Sequence, residues 1–288
     1  MSLAKYEIFS KVVELGSLTK AGEKMNLTQS AVSHAINSLE SEFGFSLLNR
    51  GRTGLSLTVN GERILEYIRE ILQVNERMIQ EAAAVKGLEI GTVIIGTFTS
   101  VSSQWLPGIF KEFKSAYPGI TIELYEGDYE EIENWIVSGE IDCGFVSKMK
   151  TDILEVISLR TEKLLCIIPT DHPLANQDKI LFKQIEQEPF IMPRYGGYHD
   201  VKRFFKENDV KVDAIYELVD DYAIISMVEN HLGISVLPQM LLSNLPEGVS
   251  CLDLEMDCHR TIGIAANYNM SPATRSFIDG VVDWIRRN

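Results

Sequence analysis

The sequence is poor in cysteine and has no long apolar run. Four cysteines are spread over 288 residues, whereas small secreted proteins held together by disulfides carry them densely. No apolar stretch approaches the roughly eighteen residues that a membrane-spanning helix needs. The first sixteen residues read as an amphipathic helix, not as a signal peptide. We therefore expect a cytoplasmic protein with reduced thiols and no membrane contact.

Positive charge is scarce as well. The formal net charge of −14 argues against a general polyanion binder. The charge is uneven, because residues 1–60 carry six Lys/Arg against five Asp/Glu, while residues 91–288 carry 17 against 30. Only the first segment lacks the excess of negative charge that phosphate groups would repel. We expect any nucleic-acid contact to be confined to it and to need two copies.

Motifs of catalysis and of metal binding are missing too. The chain has no G-x-S-x-G, no H-E-x-x-H, no Walker-type loop and no G-x-G-x-x-G after a first strand. Its five histidines lie far apart, and Cys251, Cys258 and His259 match no familiar zinc spacing. We expect no enzyme, no cofactor and no metal, and the two cysteines are assigned no role.

What is present is a pattern of two short helices over residues 17–40. Thr28 is suited to cap the second helix, and Gly44 to end it in a left-handed conformation. One stripe at helical spacing is apolar and predicts the buried face, namely Val32, Ala35, Ile36, Leu39 and Phe43. The opposite stripe carries short polar side chains, namely Gln29, Ser30, Ser33, His34, Asn37 and Ser41. The preceding helix is capped by Ser17. This is a helix-turn-helix pattern.

The polar stripe favours contact with DNA. Short donors and acceptors suit base-edge readout in the major groove, and the amide of Gln29 can pair with adenine through two hydrogen bonds. The alternative is a solvated surface face, but this face has almost no Lys or Glu. Residues 45–58 follow as a hairpin, a wing with Arg50 and Arg52 at its tip for phosphate or minor-groove contact. The expected DNA-binding residues are Ser17, Thr19, Thr28, Gln29, Ser30, Ser33, His34, Asn37, Arg50 and Arg52.

These residues resemble the LysR-type transcriptional regulators. The match runs over about sixty residues and includes Phe9, Gly16, Ser17, Ala21, residues 27–33, Ile36, Leu39, Glu40, Gly44, Leu47, Arg50, Leu57, Thr58 and Gly61. His34, Leu48 and Gly22 depart from the family pattern. The resemblance implies a regulator that binds double-stranded DNA and RNA polymerase, responds to a small-molecule effector and assembles as homodimers and homotetramers.

Residues 59–86 predict a long helix, with no proline and no glycine beyond Gly61. Apolar residues at alternating spacings of four and three suggest a two-stranded seam with a polar residue inside it. The expected dimerisation residues are Ile64, Ile68, Ile71, Asn75 and Met78. The alternative is a helix that packs on its own domain.

From residue 91 onward, strands and helices alternate, which predicts a mainly parallel α/β sheet. Two such sets and a final helix at residues 272–287 suggest two lobes. We expect a winged helix-turn-helix domain (1–58), a linker helix (59–89) and an effector-binding domain (90–288), similar to periplasmic solute-binding proteins. Its lobes would be 90–162 with 266–288, and 163–265.

Ligands of open α/β sheets bind at the carboxyl ends of strands. The hydroxyl-rich loop 97–103 precedes a helix N-terminus, which favours an anion, and Arg194 could hold a carboxylate. Each has an ordinary alternative, as a helix cap or a surface arginine. We expect a small organic anion, held by Thr99, Ser100, Val101, Ser102, Asp128, Ser147, Met192, Arg194, Tyr195 and Asp221. A rival reading is a cytoplasmic small-molecule-binding protein with an adapter-like amino-terminal domain.

Overall fold

The computed structural model describes residues 2–51, 54–87, 89–147, 153–194 and 197–288, with the backbone alone at 50, 51, 54 and 197–199. The chain divides into two compact units. The first comprises Met1–Leu88 with Ser138–Glu140, and the second comprises Glu89–Val137 with Ile141–Asn288. Each unit has its own hydrophobic core.

The first unit begins with the predicted helix-turn-helix. Its helices are α1 (Leu3–Leu15), α2 (Leu18–Met25) and α3 (Gln29–Phe43). The Ser17 hydroxyl accepts the N–H of Lys20 at 3.3 Å, and the Thr28 hydroxyl accepts the N–H of Ala31 at 3.1 Å. Both predicted caps are thus confirmed, and each satisfies a backbone donor that the first helical turn leaves without a partner.

The two helices approach each other closely at Gly22. A Cβ atom there would lie 2.8 Å from the carbonyl oxygen of Leu27, and the same turn is closed by the Leu27 N–H donating to the Gly22 carbonyl. Asn26 takes the left-handed conformation between them. The departure from the family pattern at Gly22 therefore has a steric reason, because any side chain would push α2 away from the turn.

The predicted wing is present as strands β1 (Leu48–Gly51) and β2 (Gly54–Leu57), which pair antiparallel. The Glu40 carboxylate accepts the N–H groups of Leu47 and Leu48 at 2.7 and 3.1 Å and so fastens the wing to α3. Hydrogen bonds accepted by a charged carboxylate are stronger than neutral ones, so this pair fixes the orientation of the wing.

The linker helix α4 (Val59–Ala84) is capped by Thr58. Its first turns do not present the expected seam: Ile68 is only 1% exposed and Ile64 is partly buried, both packed in the core of the first unit. The assignment of these two residues to a subunit seam is corrected, because the helix uses them to close its own domain. Other apolar residues of α4 are exposed, namely Tyr67, Ile71, Val74, Met78 and Ile79.

The second unit is α/β, as predicted. Its first part contains β3 (Gly91–Thr97), α5 (Thr99–Gln104), α6 (Leu106–Ala116), β4 (Ile120–Glu126), α7 (Tyr129–Val137) and β5 (Cys143–Ser147). Strand β3 runs parallel to both β4 and β5. The final helix α11 (Pro272–Arg287) packs back on this part, where the rings of Phe113 and Phe277 lie 5.3 Å apart. These elements form the first lobe.

A second lobe follows. It contains β7 (Lys179–Ile180), α8 (Phe182–Ile185), β8 (Pro189–Pro193), α9 (Gly197–Glu207), β9 (Asp213–Leu218), α10 (Asp221–Glu229), β10 (Ser235–Pro238) and β11 (Val249–Leu254), with a 3₁₀ turn at Gln239–Leu242. Two long antiparallel strands join the lobes, β6 (Glu155–Pro169) and β12 (His259–Ala266). The main sheet runs β4-β3-β5-β12-β6-β11-β7, and β10 also pairs with β6.

The return crossing lies earlier than the expected boundary at residue 266. Cys258 packs in the core of the second lobe, whereas Ile262 and Ile264 are buried in the core of the first. The chain therefore re-enters the first lobe near residue 260, since β12 pairs with β5 from Ile262 onward. Among the helices of the described ranges, none is long and apolar enough to cross a bilayer.

Candidate functional site

The outer face of α3 carries the expected readout residues. Thr28, Gln29, Ser30, His34 and Asn37 are exposed, and Ser33 is partly exposed. On the opposite face of the same helix Val32, Ala35, Ile36 and Leu39 are buried. On α2, Thr19 is exposed, whereas Ser17 is half-buried as the cap. The helix is thus anchored by its apolar stripe and leaves a polar surface open to a groove.

The structure describes the two arginines of the wing only in part. Arg50 lies in β1 opposite Leu55, but its side chain is not described, and Arg52 lies outside the described residues. Their expected phosphate contacts therefore stay predictions.

A cavity of about 640 Å³ opens in the second unit between its two lobes, a size typical of small-molecule sites. The first lobe contributes the ends of β3 and β4 and the start of α7, and the second lobe contributes the start of α10. The cavity is lined by Phe98, Thr99, Ser100, Glu126, Gly127, Asp128, Glu131, Val219, Asp220, Asp221, Tyr222 and Arg260.

Arg260, on the crossing strand β12, forms the buried floor of this cavity and is only 2% exposed. Its Nε donates to Glu162 Oε1 at 2.7 Å, and its two terminal nitrogens donate to Tyr129 at 2.9 Å and Ser100 at 2.6 Å. Its guanidinium also lies 5.4 Å from the ring centre of Phe98. Burial opposes its charge, but the electronegative groups around it, with Glu162 on the adjacent crossing strand, hold its pKa above the ordinary value.

A second buried acid lies beside this group. Asp200 on α9 accepts the hydroxyls of Tyr129 at 3.3 Å and of Ser147 at 3.1 Å, and the guanidinium of Arg203 at 2.9 Å. The two hydroxyls come from the first lobe and Asp200 from the second, so this network crosses between the lobes. Burial raises the pKa of the Tyr129 phenol, which stays neutral at physiological pH.

Asp221, the first residue of α10, is the exception in this well-paired region. The residue is only 6% exposed, it lines the cavity, and its Oδ1 has no hydrogen-bond partner among the described residues. Burial raises the pKa of Asp221 to about 7; Arg260 lowers it and the neighbouring Asp220 raises it further. Buried polar atoms are almost always satisfied, and a strongly shifted pKa in a cleft is typical of functional sites.

The structure brings together some of the predicted effector residues. Thr99, Ser100, Asp128 and Asp221 line the cavity. Corrections apply to others. Val101, on helix α5, and Met192, in strand β8, are buried in the cores of the first and second lobes, because each directs its apolar side chain into the core and not into the cavity.

Three further predicted residues make other contacts, and one is not described. The Ser102 hydroxyl donates to the Thr99 carbonyl, and Ser147 donates to Asp200. Arg194 is not among the described lining residues, and its backbone N–H donates to Leu218. Tyr195 lies outside the described residues.

The most important residue of the cavity was not predicted. Arg260 lies at the start of β12 in a polar run with Cys258 and His259, ahead of the alternating Ile262 and Ile264, and nothing in this run marks it as a cavity residue. Glu126 and Glu131 were also missed, although both flank the predicted Asp128 at a strand end. Within the described ranges no group of three or more His, Cys, Asp or Glu side chains is arranged to hold a metal.

Comparison with known proteins gives consistent results. A family model for the bacterial regulatory helix-turn-helix protein, lysR family, matches residues 3–62, and the LysR substrate binding domain matches residues 86–286. The uncharacterized HTH-type transcriptional regulator YvbU of Bacillus subtilis (strain 168) is 36% identical over 268 residues, covering 92% of this chain and 91% of that protein.

Two solved structures share the fold. A full-length OxyR variant from Pseudomonas aeruginosa superposes with a TM-score of 0.80 at 20% identity, covering 99% of this chain and 95% of that one. Full-length CbnR in complex with its target DNA gives a TM-score of 0.67 at 19% identity and covers 100% of this chain and 99% of that one.

Proposed function

We propose a role for each part of this chain, which belongs to the LysR family of DNA-binding transcriptional regulators. It combines a helix-turn-helix with a two-lobed α/β domain of the effector-binding type. We assign operator reading to residues 1–58, subunit pairing to the linker helix (59–89), and effector binding to the cavity above Arg260 in residues 90–288. No catalytic step is expected.

Operator reading is assigned to the exposed polar face of α3. Thr28 caps the helix so that Gln29 and Ser30 stand exposed in its first turn, which is where a recognition helix meets base edges. Gln29 is suited to adenine through two hydrogen bonds. Ser33, His34 and Asn37 continue the surface, while Ser17, Thr19, Arg50 and Arg52 are proposed to contact the phosphate backbone.

Subunit pairing is proposed for the exposed line of α4. Tyr67, Ile71, Val74 and Met78 follow one another at spacings of four, three and four residues, and all four are exposed. A seam of this spacing fits a second copy of the same helix. Two readers related by two-fold symmetry would contact half-sites about one turn of DNA apart, which supplies affinity that the weakly charged reader lacks alone.

The effector is proposed to act through the two lobes. The hydrogen bonds of Arg260 and Asp200 join Ser100, Tyr129 and Ser147 of the first lobe to groups on the crossing strands and α9. A ligand that binds one lobe arrangement better than another shifts the balance between them. We propose that the protein works as a homodimer or homotetramer bound to genomic DNA in the cytoplasm. There, the change in lobe arrangement would alter its contact with RNA polymerase.

Selection of random genomic fragments by the full-length chain at physiological salt tests this function. A regulator enriches particular fragments, and footprinting of these should reveal two protected half-sites about one helical turn apart. The rival function, a small-molecule-binding protein with an adapter domain, predicts no enrichment at all. Failure to enrich any fragment would therefore end the operator-reading assignment.

A further inference from the structure

The cation at the floor of the cavity is already paired within the chain. Arg260 donates to the Glu162 carboxylate and to the hydroxyls of Ser100 and Tyr129. The second oxygen of Glu162 accepts the backbone N–H of Met240 at 2.7 Å. A ligand anion would have to compete with a buried carboxylate for this guanidinium. Arg260 is therefore a structural group beneath the site and not an open receptor for an anion.

Two helix N-termini that meet the cavity, those of α7 and α10, are capped as well. At the start of α7, Asp128 accepts the N–H of Glu131 at 2.8 Å, and Glu131 accepts the N–H of Asp128 at 2.9 Å. At the start of α10, Asp220 accepts the N–H groups of Tyr222 and Ala223. Free N–H groups are what a helix N-terminus offers an anion, and at α7 and α10 the chain's own carboxylates occupy that position. The six-residue helix α5, whose Thr99 and Ser100 line the cavity, has no side-chain cap.

What the cavity does offer is an acceptor. Asp221 lines the cavity, and its buried Oδ1 has no donor among the described residues. An unsatisfied buried acceptor lowers stability, so its presence in this cavity points to a partner that arrives from outside. The missing partner is a hydrogen-bond donor, and a charged donor would gain most from a buried carboxylate.

The charges of the lining agree with this. It contains five carboxylates and one guanidinium, namely Glu126, Asp128, Glu131, Asp220, Asp221 and Arg260, and the guanidinium is offset by Glu162. A cleft lined by one sign of charge concentrates ligands of the opposite sign. The half-exposed ring of Tyr222 adds an aromatic surface at the same site, and such rings attract cations through their faces.

We propose that this cavity binds a small organic cation, an amine or a guanidinium compound, whose N–H group donates to Asp221 Oδ1. This inference rests on the proposed role of the cavity as the effector site, and it replaces the organic anion expected from the hydroxyl-rich loop. Asp221 supplies the ionic hydrogen bond, the surrounding carboxylates supply the field, and Tyr222 with Val219 supplies the apolar wall.

The opposite arrangement, a protonated Asp221 donating to a carboxylate ligand, makes a different prediction about charge. The test uses thermal unfolding of the full-length chain at pH 7.5 with a matched panel. The probes are the cations putrescine, agmatine, arginine, spermidine and benzylamine, the anions succinate, glutarate, benzoate and shikimate, and the neutral compounds butanediol and benzyl alcohol. The variants are Asp221→Asn and, as a matched control, Asp279→Asn, an exposed carboxylate of α11 that does not line the described cavity.

We expect at least one cation, and none of the anions, to raise the melting temperature. Asp221→Asn should weaken its binding by about tenfold or more, the effect of losing a hydrogen bond to a charged group, while Asp279→Asn binds it as the wild type does. Stabilisation by anions instead, no stabilisation by any probe, or undiminished binding to Asp221→Asn would each overturn the proposal. Enrichment of genomic fragments by the same protein preparations is measured separately. A negative result with the cations therefore contradicts only the proposed ligand class, and the operator-reading function is tested by the enrichment alone.

Discussion

The guanidinium of Arg260 and the carboxylate of Glu162 form a buried pair on the two crossing strands, with 2.7 Å between Nε and Oε1. Strands β6 and β12 lie antiparallel, and Arg260 is directly opposite Glu162 in their register. The pair therefore stands where the chain passes between lobes. The same guanidinium reaches Ser100 and Tyr129, so one side chain links the crossing strands to the cavity wall.

Breaking this pair should destabilise the second unit strongly. Arg260→Met leaves Glu162 buried without its cation, a loss of about 3–5 kcal/mol in the free energy of unfolding. Urea denaturation of the full-length chain measures it.

The control is the double variant Arg260→Met with Glu162→Gln. The glutamine keeps an acceptor for the Met240 N–H and removes the unpaired charge, so most of the loss should be recovered. A double variant as unstable as the single one would show that the charge pair is not what holds the crossing strands.

Asp221 should make stability depend on pH. Its pKa is raised to about 7 from 3.8, mainly by burial, with Asp220 raising it and Arg260 lowering it; Glu126, Asp128 and Glu131 also face the cavity. The folded state binds the proton of Asp221 more tightly than the unfolded state does. The stabilising contribution of Asp221 to the free energy of unfolding is therefore present below about pH 4 and is lost as the pH rises to about 7. The total loss is on the order of 4 kcal/mol.

Asp221→Asn removes this dependence. Denaturation at pH 5 and pH 8 should therefore show a larger stability gain for the variant at pH 8, where the wild-type carboxylate is ionised. Asp279→Asn should show no such difference. Equal gains at the two pH values would mean that the Asp221 carboxylate is better solvated or paired than the structure shows.

The exposed line on α4 predicts the oligomeric state. Met78→Glu introduces a charge into an apolar seam, where two copies would repel each other without a partner charge, so the dimer should dissociate. Sedimentation at micromolar concentration measures it, and Glu66→Gln is the control, since Glu66 is exposed on α4 off this line. An unchanged dimer in Met78→Glu would place the pairing surface elsewhere.

The sequence predicted most accurately what local interactions decide. The caps at Ser17 and Thr28, the buried stripe of α3 and the bounds of α11 all follow from neighbours within a few residues. The full lengths of strands β6 and β12 do not. Charged residues such as Arg160 and Glu162 interrupt any apolar alternation there, and the strands exist because they pair with each other across about a hundred residues.

The residues of the effector cavity also divide into those that local sequence predicts and those that depend on distant partners. Thr99, Ser100, Asp128 and Asp221 were predicted because they follow strand ends or begin helices, which is local information. Arg260 was missed because its role comes from partners more than ninety residues away. Val101 and Met192 were wrongly placed because their nearness to a strand end shows which segment borders a site, but not which side chain turns into the core.

The most direct test of the central claim is the ratio of affinities for an enriched genomic fragment and a scrambled one. Gln29→Ala should lower this ratio by about tenfold, as loss of a bidentate base contact does, with little change in binding to the scrambled fragment. Ser41→Ala, an exposed residue at the far end of α3, should leave the ratio unchanged. If Gln29→Ala discriminates between the fragments as well as the wild type, this face of α3 does not read the operator.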